Sequence, residues 1–159
     1  MDALAPSQRD AVRRIVTAHL ARPGPLLEVL HQIQSTFGYV PEGAVPLVAD
    51  GLNLSRAEVH GVVTFYHYFR HTPPGRHTVQ VCRAEACQAM GSDALVAHAR
   101  QRLGIDFHHT TADGKFSLEP VYCLGNCACA PAVMIDGELQ GRVTAERFDA
   151  LMAEREQRE

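Results

Sequence analysis

Residues 121–134 read VYCLGNCACAPAVM and contain three of the chain's five cysteines within seven positions. The other two, Cys82 and Cys87, have four residues between them, while Cys123 and Cys127 have three. Each pair directly follows a predicted strand, and 35 residues separate the pairs. Because a sheet can bring two strand ends together, we expect four sulfur atoms to converge through the fold.

The bulk composition is that of a globular protein. The 159 residues are 46% hydrophobic and 21% charged, with a net charge of −3 and no basic run, which argues against nucleic acid as a partner. No signal-peptide pattern and no apolar window of about 20 residues is visible, so we expect a cytoplasmic chain without membrane insertion. An odd number of cysteines disfavours a complete disulfide framework and favours metal or redox chemistry.

The sequence pattern changes near HTPPGRHT, residues 71–78. Helical periodicity precedes this stretch and strand-like runs follow it, which predicts an α+β protein. We expect a helical bundle over residues 1–74 and an α/β domain with a small mixed sheet over residues 75–159.

Four helices are predicted in the first half. Gly38 ends the second, residues 41–52 form a short third, and Ser55 with Glu58 makes a capping box for the fourth. The apolar positions that define the first two helices are Val12, Ile15, Val16 and Leu20, and then Leu26, Leu30, Ile33 and Phe37.

The second half predicts the order β, α, β, β, α. Strands are expected at 77–82 and 115–123, and Asp136-Gly137 between apolar runs predicts a hairpin. The residues expected to delimit these elements are Ser92 and Thr144 as N-caps, Gly104 as a helix stop and Pro120 at a sheet edge or bulge.

Three interpretations of the thiols compete. Four thiolates can bind a [2Fe–2S] cluster, with two for each tetrahedral iron. They can also form a structural zinc site, although zinc ribbons usually have two-residue spacers. Redox-active dithiols or disulfides are the third, and the two-residue spacer of a thioredoxin-type dithiol is absent.

Small residues lie between and beyond the second pair of thiols. Gly125 and Asn126 tolerate unusual backbone angles, which would let the loop turn its N–H groups toward sulfur. Cys129 is either a small buried hydrophobe or a reserve ligand that exchanges with Cys127. The residues alone leave both alternatives open.

The cysteine loops resemble a known family. VCRAEAC at 81–87 and YCLGNCACAPAVMIDGE at 122–138 are similar to the thioredoxin-like [2Fe–2S] ferredoxin subunits of NADH-linked enzymes. These are the 24 kDa-type subunit of respiratory complex I, its counterparts in bidirectional hydrogenases, and the gamma subunit of molybdenum- or tungsten-containing NAD-dependent formate dehydrogenase. RAEACQAMG and CLGNCACAPAVM are most similar to the formate dehydrogenase subunit, and FGYVPEGAV and AEVHGVVTFYHYF extend the resemblance into the helical half.

The resemblance implies a thioredoxin-like fold for residues 75–159 and an electron-transfer role with no catalytic site in this chain. It implies that a partner subunit holds FMN and NAD and that a larger iron–sulfur or molybdenum subunit is a second partner. Because the helical half has little to do near the cluster, we expect residues 1–74 to dock onto the larger flavin subunit. All-cysteine ligation predicts a reduction potential of about −400 mV. The implied [2Fe–2S] ligands are Cys82, Cys87, Cys123 and Cys127, which leaves Cys129 outside the set.

The histidines, the charged residues of the first cysteine loop and three aromatic residues are interpreted without a metal site. His108-His109 and the pair His67 and His71 have metal-ligand spacing but no convincing carboxylate, so we expect exposed or hydrogen-bonded histidines. Arg83 either offsets the charge of the cluster or is a solvated loop residue, and Glu85 is expected to be solvated. Three aromatic residues suit either a core or a partner surface: Phe65, Tyr66 and Tyr68.

Overall fold

The computed structural model describes residues 4–157, which hold seven α-helices and a five-stranded sheet. These residues divide into two compact units, one ending at Pro73 and the other beginning at Pro74. Within the part of the chain described, no helix is long and apolar enough to cross a membrane.

The first unit contains four helices around an apolar core. The core includes Val12 and Val16 of the first helix, Leu30 and Ile33 of the second, and Val59 of the fourth, all almost fully buried. The helices are α1 (Pro6–His19), α2 (Leu26–Phe37), α3 (Ala44–Leu52) and α4 (Arg56–Phe65).

Local capping explains where these helices begin and end. Gly38 follows α2 with a φ of +82°, and its N–H bonds to the carbonyl of Gln34, as predicted for a glycine stop. Ser55 accepts a hydrogen bond from the Glu58 N–H, and Glu58 reaches back to the Ser55 N–H, which confirms the capping box.

Two expectations for this unit are corrected. The third helix begins at Ala44, because residues 41–43 form a turn instead of its first helical residues. Leu20 does not belong to the buried face of α1, since the helix ends at His19 and the Leu20 side chain is 54% exposed.

The second unit packs helices on a mixed sheet, in agreement with the predicted α+β class. The sheet order is β2-β3-β1-β4-β5, with β1 parallel to β3 and the other neighbours antiparallel. Its elements are β1 (His77–Cys82), α5 (Glu85–Ala89), α6 (Ser92–Leu103), β2 (His109–Thr110), β3 (Phe116–Val121), β4 (Val133–Ile135), β5 (Glu138–Gln140) and α7 (Ala145–Glu156).

The core of this unit lies between the central strands and the two longer helices. Val79 and Leu118 of the paired parallel strands are fully buried and pack with Val96 of α6 and Phe148 of α7. Each such side chain stabilises the fold by about 1.5–3 kcal/mol through the removal of apolar surface from water. The core therefore fixes the β1–β3 pair in the middle of the sheet.

Several sequence expectations differ from the structure here. Helix α5 and strand β2 were not predicted, and Gly91, with a φ of +89°, precedes α6, so that Ser92 is the first residue of this helix instead of its cap.

Pro120 sits where β3 has only β1 as a neighbour, because β2 pairs no further than Leu118, so the predicted edge position is correct.

The predicted Asp136-Gly137 hairpin joins β4 to β5 and is held by an ionic network. Asp136, at a φ of +52°, accepts a hydrogen bond from the Thr78 N–H at 2.8 Å, and its carboxylate lies 2.7 Å from His77 Nδ1. The guanidinium of Arg155, a residue only 4% exposed, lies 3.7 Å from the same carboxylate and also pairs with Glu138. The hairpin is thus tied to both β1 and α7.

Asp136→Asn should lower the free energy of unfolding of the full chain by about 1–2 kcal/mol, since hydrogen bonds to charged groups are worth roughly that much or more. Asparagine tolerates a positive φ, so the change isolates the charge from the turn geometry. Urea unfolding followed by far-UV circular dichroism measures the effect. Asp50→Asn, at an exposed position of α3, is the control and should change stability by less than about 0.5 kcal/mol. Equal effects of the two variants would contradict the network.

Candidate metal centre

The first cysteine pair lies at the carboxyl end of β1. Cys82 is the last residue of the strand, and α5 returns the chain so that Cys87 faces it. Hydrogen bonds hold the connection on both sides, from the Cys82 N–H to the Ala132 carbonyl and from the Arg83 N–H to the Val121 carbonyl. Both cysteines are only 2% exposed.

The second pair follows β3. The chain turns at Cys123, with a φ of +142°, and at Gly125, with a φ of +73°. This turn directs the Gly125 N–H to Cys123 Sγ at 3.3 Å, as the loop composition predicts. Cys127 then begins a 3₁₀ turn, Cys127–Cys129, and both Cys123 and Cys127 are exposed.

Parallel strand pairing brings the two loops together. Cys82 is in register with Val121, so β1 and β3 release their chains at the same edge of the sheet. The thiols act on one another electrostatically within the pairs Cys82–Cys87 and Cys123–Cys127. The two pairs are also coupled, because Cys82 acts on Cys127 and Cys127 acts on Cys87. All four predicted sulfur atoms therefore belong to one electrostatic group.

The mutual influence of the thiols is visible in their acidity. Burial raises the pKa of the Cys87 thiol, a backbone hydrogen bond with Ala132 opposes this, and the neighbouring thiols of Cys82 and Cys127 raise it further. The hydrogen bond and charge of Cys123 raise the pKa of Cys127. Four thiolates this close repel one another, so a cationic centre is needed to hold them all deprotonated.

The donor set fits a binuclear centre. A [2Fe–2S] cluster takes two cysteine sulfurs on each iron, and the structure supplies two pairs of sulfurs at one edge. Among residues 4–157, no group of three or more His, Cys, Asp or Glu side chains is arranged around a single metal position. An apolar wall lies behind the buried pair, formed by Ala84, Val121, Leu124, Ala130 and Ala132.

The fifth thiol is held differently. Cys129 is half-buried, and its side chain lies against Gly141, where an added Cβ would be 2.7 Å from Cys129 Cβ. Its carbonyl accepts a hydrogen bond from the Arg142 N–H at 2.7 Å. The next peptide bond but one, Ala130–Pro131, is cis, a point that the sequence left open.

Two of the four candidate histidines have polar partners within the chain. His108 Nδ1 lies 2.7 Å from Glu119 Oε2, and His109 Nδ1 lies 2.9 Å from the Phe107 carbonyl. His67 and His71 follow the end of α4 at Phe65, so their spacing is not that of a helix face.

Arg83, between the first two cysteines, has one charged and one aromatic partner. Its guanidinium lies 3.5 Å from Asp93 and 5.7 Å from the centre of the Phe107 ring, so its charge is compensated by a carboxylate on α6. Glu85, by contrast, is exposed, as expected.

Comparison with models of protein families identifies the family of this chain. The model of the thioredoxin-like [2Fe–2S] ferredoxin matches residues 12–156. The chain belongs to this family. Members of this family are [2Fe–2S] ferredoxins, so the chain holds a [2Fe–2S] cluster and is an electron-transfer protein.

Relatives in the family are subunits of larger enzymes. The chain is 39% identical over 133 residues to the NADP-reducing hydrogenase subunit HndA of Solidesulfovibrio fructosivorans, covering 84% of this chain and 78% of that subunit. It is 43% identical over 126 residues to an NADH-quinone oxidoreductase subunit of Pseudomonas aeruginosa, covering 79% of this chain and 76% of that relative.

A solved structure is similar over most of the chain. An NAD+-reducing [NiFe]-hydrogenase in its H2-reduced state superposes with a TM-score of 0.71 at 28% identity, covering 85% of this chain. The match spans only 22% of that hydrogenase chain.

One residue near the centre was not found from the sequence. Gly141, after β5, approaches the second loop so closely that a Cβ would lie 2.8 Å from Asn126 Nδ2 and 3.0 Å from the Cys129 carbonyl oxygen. The Arg142 and Val143 N–H groups bond to the carbonyls of Cys129 and Pro131. A glycine just after a predicted hairpin strand was the available signal, but its contact exists only in the folded chain.

Gly141→Ala should displace the 126–131 loop and weaken the iron–sulfur centre, because the new methyl group meets the Cys129 side chain and backbone. Loss of such supporting contacts costs about 10- to 100-fold in metal affinity. Iron content after chelator challenge and the electron paramagnetic resonance spectrum of the reduced protein measure it. Gly61→Ala, where a Cβ meets open space, is the control and should match the unchanged protein. A Gly141→Ala protein with the same resistance to chelation would contradict the role.

Proposed function

We propose that this chain is the [2Fe–2S] electron-transfer subunit of an NAD-dependent oxidoreductase, with Cys82, Cys87, Cys123 and Cys127 as the ligands. The observation that carries the proposal is the convergence of one buried and one exposed thiol pair at the shared edge of β1 and β3. The relatives named as NADH-quinone oxidoreductase and hydrogenase subunits support the class of parent enzyme.

The surrounding residues suit single-electron exchange. When bound, a [2Fe–2S] group takes up and releases one electron at a time. The apolar wall at Ala130 and Ala132 excludes water beside Cys82 and Cys87, and the Gly125 N–H stabilises negative charge on Cys123. The exposed pair lies on the side from which a partner can approach, next to the exposed ring of Tyr122.

The flavin and nicotinamide sites belong, on this proposal, to a partner subunit in the cytoplasm. The sequence contains no glycine-rich dinucleotide fingerprint, which agrees with this division. Electrons then pass between the partner's FMN and the centre held by this chain.

We propose formate dehydrogenase as the parent enzyme, on the basis of the ligand-loop motifs RAEACQAMG and CLGNCACAPAVM. The hydrogenase and NADH-quinone oxidoreductase relatives define the two competing parents. Purification of the complex through a tag on this chain, followed by identification of its subunits, separates them. A molybdenum- or tungsten-containing subunit supports formate dehydrogenase, whereas a nickel–iron or quinone-reducing subunit contradicts it.

Docking is assigned to the helical unit, through an aromatic face made of Phe65, Tyr66 and Tyr68. Phe65 is 72% and Tyr68 61% exposed, and the rings contact one another or the buried Phe69 at 5.1–6.2 Å. A groove of about 570 Å³ adjoins Phe65 and Tyr66, lined also by Leu26, Leu54 and Val62. Clustered exposed aromatic rings are typical of the centres of protein interfaces.

Replacement of individual cysteines tests the ligand set. Serine at Cys82, Cys87, Cys123 or Cys127 should abolish or shift the visible absorbance of the centre, because oxygen replaces one of the four thiolates. Cys129→Ala should keep the iron and sulfide content of the unchanged protein, since its side chain packs against Gly141. Loss of colour in Cys129→Ala would reverse the choice of ligand, and a colourless zinc-containing protein would contradict the electron-transfer function.

The double change Phe65→Ser with Tyr68→Ser should weaken assembly of the complex by about 30-fold or more, because truncated interface aromatics commonly cost about 2 kcal/mol or more. The visible absorbance should stay unchanged, since both residues lie in the unit that holds no cysteine. Size-exclusion chromatography of the co-expressed complex measures assembly. Leu20→Ser removes an exposed apolar side chain elsewhere on the helical unit and should leave assembly intact. Equal losses from the two variants would argue against the aromatic face.

A further inference from the structure

The helical unit has a second groove, with an apolar floor. Its volume is about 550 Å³, and it lies between α1, the start of α3 and α4. The floor is made of Leu4, Val45, Pro46 and Leu47, of which Leu4 is buried and the other three are half-buried. We call this feature the basic groove because of the side chains around it.

Arginine and histidine side chains line two sides of the basic groove. Arg9 and Arg13 project from α1, and Arg56 and His60 project from α4. Among residues 4–157, the groove has one lining carboxylate, that of Glu42. The whole chain carries a net charge of −3, so this local excess of positive charge opposes the overall sign.

Within the described residues, the arginines of the groove meet little compensating negative charge. Arg13 lies 3.8 Å from Asp10, with both side chains well exposed, which is a weak surface pair. No ion pair within residues 4–157 joins Arg9 or Arg56 to a carboxylate. Two guanidinium groups beside an apolar floor are thus left for an anionic partner.

The spacing of the charges identifies the shape of that partner. Each side of the groove presents two basic residues four positions apart on one helix, which places their Cβ atoms about 5–6 Å apart. Carboxylates three or four positions apart on a second helix have the same spacing, and apolar residues on the same face of that helix would cover the floor. An anion with a single carboxylate would use only part of one side.

We propose that the basic groove receives an acidic amphipathic helix of a partner subunit. The proposal rests on the function proposed above, in which the chain works within a complex. Burial of the partner's apolar residues on the floor supplies affinity, and the paired charges at the two sides fix the orientation of the helix.

The basic groove is separate from the aromatic face. At 100° per residue, Arg56 and His60 lie on one side of α4, whereas Glu58, Val62 and Phe65 lie on another. The helical unit can therefore hold two partner segments, and changes at one surface leave the other intact.

Zero-length carbodiimide cross-linking tests the proposal, because it joins an amine to a carboxylate in direct contact. Lys115 is the single lysine of the chain, so Arg9→Lys or Arg56→Lys adds one amine while the charge is kept. The complex is purified from its native cells through a tag on the full chain, treated with carbodiimide, and the joined peptides are identified by mass spectrometry. Arg14→Lys, at an exposed position of α1 outside the groove, is the matched control.

We expect Arg9→Lys and Arg56→Lys to join to one partner segment whose acidic residues recur every three or four positions with apolar residues between them. Arg14→Lys should give no such product. Adding Arg9→Glu to Arg56→Lys should lower the yield of the product by about tenfold or more, because like charges then face each other.

Four results would overturn the proposal: products confined to this chain's own carboxylates, products scattered over many partner segments, a complex that gives no joined product, or a chain that purifies without partners. If the complex is brown but lacks the expected product, the docking proposal for the basic groove fails and the proposed electron-transfer function still stands. A colourless complex that still gives the product would remove the iron–sulfur assignment and leave the docking of an acidic helix in place.

Discussion

The parallel pairing of β1 with β3 is the constraint on which the proposed iron–sulfur site depends. Because Cys82 is in register with Val121, both strands end at one edge of the sheet, and each following loop needs only a short return to present its second thiol. Parallel strands require a long crossover, here α5, α6 and β2, so the two thiol pairs meet only when the whole unit has folded. Binding of the metal centre and folding of this unit are therefore thermodynamically coupled.

The four proposed ligands differ in their exposure. Cys82 and Cys87 are buried against alanine side chains, while Cys123 and Cys127 face solvent. The Gly125 N–H supports Cys123, on the exposed side, where added negative charge is also best hydrated. Because the buried pair lies behind an apolar wall, exchange of electrons with a partner is favoured on the exposed side of the sheet edge.

The sequence predicts this structure well where the determining interactions are local. Gly38, the Ser55–Glu58 box, Asp136-Gly137 and the Thr144 cap each act within a few residues, and each has the predicted effect. Strand β2 has two residues and no pattern of its own, since it forms only because β3 offers an edge. The approach of Gly141 to Cys129 depends on tertiary packing, which no spacing rule contains.

The helical unit offers surfaces for partner subunits, which the cysteine-containing unit of an electron carrier does not by itself provide. Its own core is complete without Phe65 and Tyr68, whose rings stay in water although Phe69, beside them, is buried. Exposed aromatic rings supply affinity without orientation, whereas the charged sides of the basic groove supply orientation at little cost in affinity. An electron-transfer subunit needs both, because the distance between centres is set by how rigidly the partners are held. On the two docking proposals, these tasks fall to two different sides of α4.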